Sequence, residues 1–130
     1  MFKRPVELIA ALRSGKYEQG RNQLVSNNLI DGPARFCCLG VWCDISGATR
    51  PMDRTKTRLR EAFAYRNEVH SLELPLALAV DLQVRQNPKV DGLIDRYENP
   101  ITLAGLNDSG FTFAQIADLL AYFGVEVADR

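Results

Sequence analysis

The stretch FCCLGVWCDISG, residues 36–47, constrains this chain more than any other part of it. Read at about 100° per residue, Cys38, Leu39, Val41, Trp42 and Ile45 share a broad apolar face, while Gly40 and Asp44 fall together on the other side. A helix apolar over most of its circumference belongs at the centre of its domain, and the other elements must then be arranged to cover it. Gly47 supplies its stop. With 130 residues, 46% of them apolar and 25% charged, the chain suits a single globular domain over residues 1–130 around one such core.

The covering elements read mostly as helices. RPVELIAALRSG has a proline suited to a first turn, a glycine suited to a stop, and Pro5, Leu8, Ile9 and Leu12 on one stripe. A short helix is expected near Gln23, followed by a loop over residues 27–35. A charged surface helix with Leu59, Ala62 and Phe63 as its thin apolar stripe is expected next, with His70 at its polar end. Residues 72–84 are ambiguous: the alternation of large apolar residues favours a strand, whereas Pro75 and the alanines favour a helix starting at Pro75, the preferred reading. QNPKVDGLIDRYENPIT suggests two short strands joined by turns. The last element is the clearest, with Thr112 as cap, Gln115 three residues on, and Phe113, Ile116, Leu119, Leu120 and Phe123 on one stripe ending at Gly124. The expected class is α+β, a mainly helical single domain with one small antiparallel strand pair.

Several chemistries find no support. No apolar run reaches the roughly 18–20 residues needed to cross a bilayer, and the first residues lack the apolar core of a secretory signal. Three cysteines, two of them adjacent, make a poor disulfide framework, so a reducing compartment is expected. Cys37, Cys38 and Cys43 diverge around one helix and there is a single histidine, so neither a metal site nor a cofactor is expected. Cys37 is the best candidate nucleophile, but Asp44 nearby would raise its pKa rather than lower it. Neither a P-loop nor a dinucleotide-binding glycine pattern occurs, and Asp91, Asp95 and Glu98 read as solvated charges in turns. Charge is segregated: residues 1–66 carry twelve Lys/Arg against six Asp/Glu, and residues 67–130 four against ten. Such a chain can orient a charged partner, pair its own halves, or do neither.

The corner LAGLNDSGFTFAQIADLL, residues 103–120, suggests a helix-turn-helix, yet only six residues follow Gly124 and the C-terminal half is acidic. DNA reading is therefore not expected. The backbone N–H groups of the helix capped by Thr112 could instead receive an anion, with Arg21 adding charge if the fold brings it near, or the cap could serve the helix alone.

Taken in order, ALRSGKYEQGRNQL, FCCLGVWCDISG and LAGLNDSGFTFAQIADLL resemble the blocks of a widespread family of small uncharacterised bacteriophage and prophage proteins, over roughly residues 6–122. The basic segment 50–70 is not explained by the resemblance. The resemblance singles out Tyr17, Gln19, Gly20, Cys37, Cys38, Gly40, Asn107, Asp108 and Gly110, several of them polar or glycine, which a core does not require. Asn107 and Asp108 can be a helix C-cap, a brace for the Tyr17–Arg21 loop, or part of a pocket in which Tyr17 stacks on a base and Arg21 meets a phosphate. Bracing is the simplest of the three. The resemblance implies phage association, and from it a non-enzymatic binding protein of the host cytoplasm is expected. It would antagonise a host factor or defence system by sequestering a nucleotide-derived small molecule at Tyr17, Gln19, Arg21, Asn107 and Asp108. One alternative is a protein-binding inhibitor of a host or defence enzyme acting through Arg54, Lys56, Arg58 and Arg60; another is a cysteine-dependent enzyme. A homo-oligomer stays open, and no membrane partner is expected.

Overall fold

A computed structural model describes residues 1–26, 34–51 and 62–128. Its elements run β1 (Phe2–Lys3), α1 (Val6–Arg13), β2 (Glu18–Gln19), β3 (Val25–Ser26), β4 (Arg35–Phe36), α2 (Cys38–Ile45), β5 (Phe63–Tyr65), β6 (Glu68–His70), α3 (Leu76–Leu82), β7 (Lys89–Ile94), β8 (Pro100–Thr102), α4 (Leu103–Asp108), α5 (Phe113–Phe123) and β9 (Val125–Glu126). The five helices and nine strands among the described residues correct the expectation of a mainly helical domain with one strand pair. The strands form three sheets, ordered β1-β9-β7-β8, β2-β4-β3 and β5-β6. Eight of the nine strands are only two or three residues long, too short for an alternating pattern to register, and the β1–β9, β2–β4 and β7–β9 pairs join strands that are not consecutive in the chain.

Three local expectations are corrected with it. No helix forms near Gln23, because Val25 and Ser26 pair antiparallel with Phe36 and Arg35. Phe63 lies in a strand rather than on a helix stripe, and His70 is its partner across the β5–β6 ladder. Gly40 does not face outward with Asp44; it is buried beneath the backbone of Leu24. The remainder of the expected charged helix, including Leu59, lies outside the described residues.

The helices follow their local signals more closely. In α1, Leu8, Ile9 and Leu12 are buried, and Gly15 beyond its end takes φ +76°, a conformation glycine adopts without steric cost. The helical reading at Pro75 holds, with α3 starting at Leu76. Proline offers no side-chain acceptor, and Glu68 on the neighbouring strand substitutes: its two carboxylate oxygens accept from Leu76 N and Ala77 N, each at 2.9 Å. This also places a negative charge at the positive end of the helix. In α5 the side chain of Thr112 accepts from Gln115 N while Gln115 accepts from Thr112 N, the reciprocal capping box expected from the spacing. After Gly124 the chain enters β9, which lies between β1 and β7 instead of forming a second DNA-binding helix.

The buried residues form one cluster, with α2 at its centre and α1, α4 and α5 among its covers. Leu8, Leu39, Phe63, Leu78, Leu103, Ile116 and Leu120 are essentially inaccessible to solvent. The tightest approach is at Gly40: an ideal Cβ there would stand 1.8 Å from the Leu24 carbonyl oxygen. That same oxygen accepts from Cys37 N at 3.2 Å, so the missing side chain lets the residue just before β3 bond to the start of α2. Gly40→Ala is therefore expected to cost about 3 kcal/mol or more and to lower the melting temperature by about 10 °C or more. Thermal unfolding followed by circular dichroism measures it, and a variant as stable as the parent would show that this backbone contact is absent.

Candidate functional site

The polar corner expected from the sequence is assembled, and nearly every group in it is used. Asn107 is the one polar or charged residue classed as buried among those described, with no solvent exposure. Its side-chain oxygen accepts from Gln19 Nε2 at 3.0 Å and from Cys38 N at 3.2 Å. Its Nδ2 donates to the Gly20 carbonyl at 2.8 Å and makes a long contact of 3.5 Å with Asp108 Oδ1. A carboxamide has two acceptor lone pairs and two donor hydrogens, so Asn107 has no capacity left for a ligand. Asp108 Oδ1 also accepts from Asn22 N at 2.8 Å, and the 20–22 loop is thereby stitched to the end of α4.

Gln19 reaches across the corner in a second direction. Its Nε2 donates to the Phe111 carbonyl at 2.7 Å, and its Oε1 accepts from Phe113 N at 3.1 Å. The α5 N-terminus, a candidate anion cradle from sequence, is thus already met by Gln19 at Phe113 N and by Thr112 at Gln115 N. Tyr17 stands apart. Its ring meets Phe36 edge-on at 5.1 Å between centroids, and its hydroxyl donates to Asp44. Burial and that hydrogen bond push the phenol up to about 12. Of the five expected ligand residues, Gln19, Asn107 and Asp108 come together as a brace, and Tyr17 packs elsewhere. Arg54, Lys56, Arg58 and Arg60 lie outside the described residues.

Arg21 differs from the other four. It is exposed, no carboxylate among the described residues pairs with it, and its guanidinium nitrogen lies 3.5 Å from where a Cβ on Gly110 would be. Gly110 sits between Ser109 and Phe111, and both flanking residues line a hollow of about 340 Å³. Ile101, Leu106 and the 38% exposed ring of Phe111 supply its apolar wall, with Asp95, Thr102 and Ser109 as polar members. The Asp95 carboxyl is held below its ordinary range because it accepts from Asn99 N and Tyr97 N. Phe111 and Asn22 were not anticipated from sequence. Asn22 carried a usable signal, since it takes φ +69° and asparagine is enriched in that region.

The cysteines are all free and all buried. Cys37 caps α2 by accepting from Gly40 N, and Cys38 Sγ donates to the Leu103 carbonyl at 3.3 Å. Burial pushes the Cys37 thiol up to about 11 and raises those of Cys38 and Cys43 as well, leaving all three as unreactive thiols near neutral pH. Among the described residues no three His, Cys, Asp or Glu side chains lie together as a metal-binding group. No helix there is long and apolar enough to cross a membrane.

A family model described as a domain of unknown function, DUF8296, matches residues 5–123. Comparison with curated proteins and with solved structures returns no match.

Two outcomes follow from this geometry. Asn107→Ala leaves Cys38 N, the Gly20 carbonyl and Gln19 without their partner, so a loss of about 3 kcal/mol in urea unfolding is expected, against less than about 0.5 kcal/mol for Arg21→Ala. A near-neutral Asn107→Ala would mean that the corner is not a brace. The second concerns alkali. Cys37 and Tyr17 have folded pKa values raised above their ordinary 9.0 and 10.0. Their contribution to stability is full below about pH 9 and is lost as pH rises through about 11 and 12. Unfolding midpoints should fall across that window, and a thiol reagent at pH 8 should react only as fast as the protein opens. Rapid labelling of the folded protein would restore Cys37 as a candidate nucleophile.

Proposed function

The chain belongs to the DUF8296 family, a domain of unknown function, and from its geometry we propose a non-enzymatic binding protein that sequesters a nucleotide-derived small molecule. The observation that carries this reading is that Arg21, exposed and without a carboxylate partner among the described residues, lies beside Gly110, whose neighbours Ser109 and Phe111 line an apolar hollow. A base would lie against Phe111 and Ile101, a phosphate would meet Arg21, and the charged Asp95 would accept from a ribose hydroxyl or an exocyclic amine. The hollow is of the size of small-molecule sites, about 300–1,000 Å³. In this reading Gln19, Asn107 and Asp108 hold the corner rigid without touching the ligand, and Tyr17 plays no part in binding. Phage association, residence in the host cytoplasm and antagonism of a host factor or defence system belong to the same proposal, on the strength of the sequence blocks.

A second reading has its own support. Leu72, Leu76 and Val80 are 66%, 46% and 47% exposed, and the last two lie one turn apart on α3. An apolar face of that kind suits a protein partner, as an inhibitor of a host or defence enzyme would need.

Native mass spectrometry of the protein, purified gently from phage-infected cells, tests the two together. A bound mass of a few hundred daltons, released on denaturation and lost in Arg21→Ala and Phe111→Ala with the fold intact, is the expected result. In titrations with purified nucleotides the same variants should weaken binding about tenfold or more. A co-purifying host protein in place of a small molecule would favour the second reading. A bare chain that binds no nucleoside mono-, di- or cyclic diphosphate would overturn the first.

A further inference from the structure

The hollow bordered by Phe111 holds in its wall a glycine that neither backbone conformation nor packing accounts for. Gly105 lies within α4, is exposed, and lines the hollow. Glycine is, after proline, the residue least suited to a helix. Five other described glycines take positive φ, and at Gly20 and Gly40 an added Cβ would stand 2.9 Å and 1.8 Å from another segment. Neither reason applies to Gly105. Its φ is not positive, and beyond its chain neighbours and its own helix backbone a Cβ would meet one atom within 4 Å, the Thr102 side-chain oxygen at 3.0 Å.

That one contact does not require glycine, and α5 shows why. Thr102 accepts from Gly105 N at 3.0 Å, and Thr112 accepts from Gln115 N at 3.1 Å, the same cap across the same spacing. The cap of α5 carries a full side chain at the position that α4 leaves bare.

What the bare position presents to the hollow is apolar backbone. Gly105 N is taken by Thr102, and its carbonyl accepts from Ser109 N at 3.0 Å and from Ser109 Oγ at 2.7 Å. Its polar atoms are thus engaged within the chain, and the Cα is left as the exposed surface. A missing Cβ is the means by which a backbone lets a ligand approach closely. Ile101, Leu106 and the Phe111 ring line the same hollow. A flat ring suits such a wall better than a puckered or branched group, because its whole face makes contact.

We propose that Gly105 is the specificity-determining residue of this hollow: it leaves the α4 backbone bare where the face of a planar ring, the base of the ligand, lies against it. The inference rests on the binding function proposed above and adds to it the residue that admits the ring.

The test uses ¹H–¹⁵N spectra of the full chain, read at the amides of Ser109 and Phe111. The probes are adenosine, guanosine, cytidine and uridine, their monophosphates, and ribose phosphate. At least one monophosphate should shift both amides saturably with a dissociation constant of about 1 mM or tighter, and ribose phosphate, which lacks the ring, should not. Gly105→Ala should weaken that binding about threefold and Gly105→Leu about tenfold or more, since each fills space that the ring takes. Both variants should melt within about 2 °C of the parent or above it. Should Gly105→Leu misfold, the threefold effect of Gly105→Ala decides.

The proposal is overturned if Gly105→Ala lowers the melting temperature by about 5 °C or more, which would make the glycine a packing requirement. It is overturned too if both folded variants bind like the parent, or if no probe shifts either amide. Its failure is separable from that of the binding function. Nucleotide binding that is lost in Arg21→Ala but unchanged in the Gly105 variants leaves the function standing and removes this inference. A nucleoside that binds as well as its monophosphate, and is weakened by Gly105→Leu, supports this inference and removes the phosphate from Arg21.

Discussion

A carboxamide withdrawn from water must find four hydrogen-bond partners or destabilise the fold, and Asn107 finds them on three separate parts of the chain. Its oxygen holds Gln19 and the first N–H of α2, and its nitrogen holds the Gly20 carbonyl. Each of these groups is itself near the core and would be costly to leave unmet. The loop before β3, the entry to α2 and the end of α4 are therefore fixed relative to one another by one side chain. Gln19 extends the constraint to α5 by occupying Phe113 N. Polar residues at this corner thus do what apolar contacts cannot, because they specify direction as well as proximity.

The second constraint is the Leu24 carbonyl on Gly40, and it acts on the same helix. Asn107 satisfies Cys38 N and Leu24 satisfies Cys37 N, so the first turn of α2 is held from two sides while Cys37 Sγ caps Gly40 N from within. A helix as apolar as α2 has few polar side chains with which to fix its rotation about its own axis. The contacts at its N-terminus set that rotation, and the rotation brings Leu39, Val41 and Trp42 into the core. This is why residue types that look functional in the sequence, glycine at position 40 and asparagine at 107, prove to be determinants of packing.

How much of this could be read from the sequence depended on distance along the chain. The capping box of α5 joins residues three apart, and it was legible in full. The stops and stripes of α1 were equally local. The central position of α2 was legible from its composition, but the orientation of Gly40 was not, since a helical wheel shows no backbone lying across it. The β7–β8 pair was legible from its turn signals, whereas the rest of the sheets include pairs such as Phe2 with Glu126, between strands too short to show a period. At the corner, the residue types alone leave brace and pocket both open. Only the distances decide between them, as in the bond from Gln19 to Asn107 across 88 positions.

The segregation of charge along the chain acquires a partial physical meaning from these contacts. Arg13 pairs with Asp118 at 2.8 Å and Arg66 with Asp81 at 3.0 Å, each joining the basic half to the acidic half. Both pairs are largely exposed, and pairs of that kind contribute about 1 kcal/mol at most, so charge pairing does not hold the halves together; the core and the Asn107 brace do.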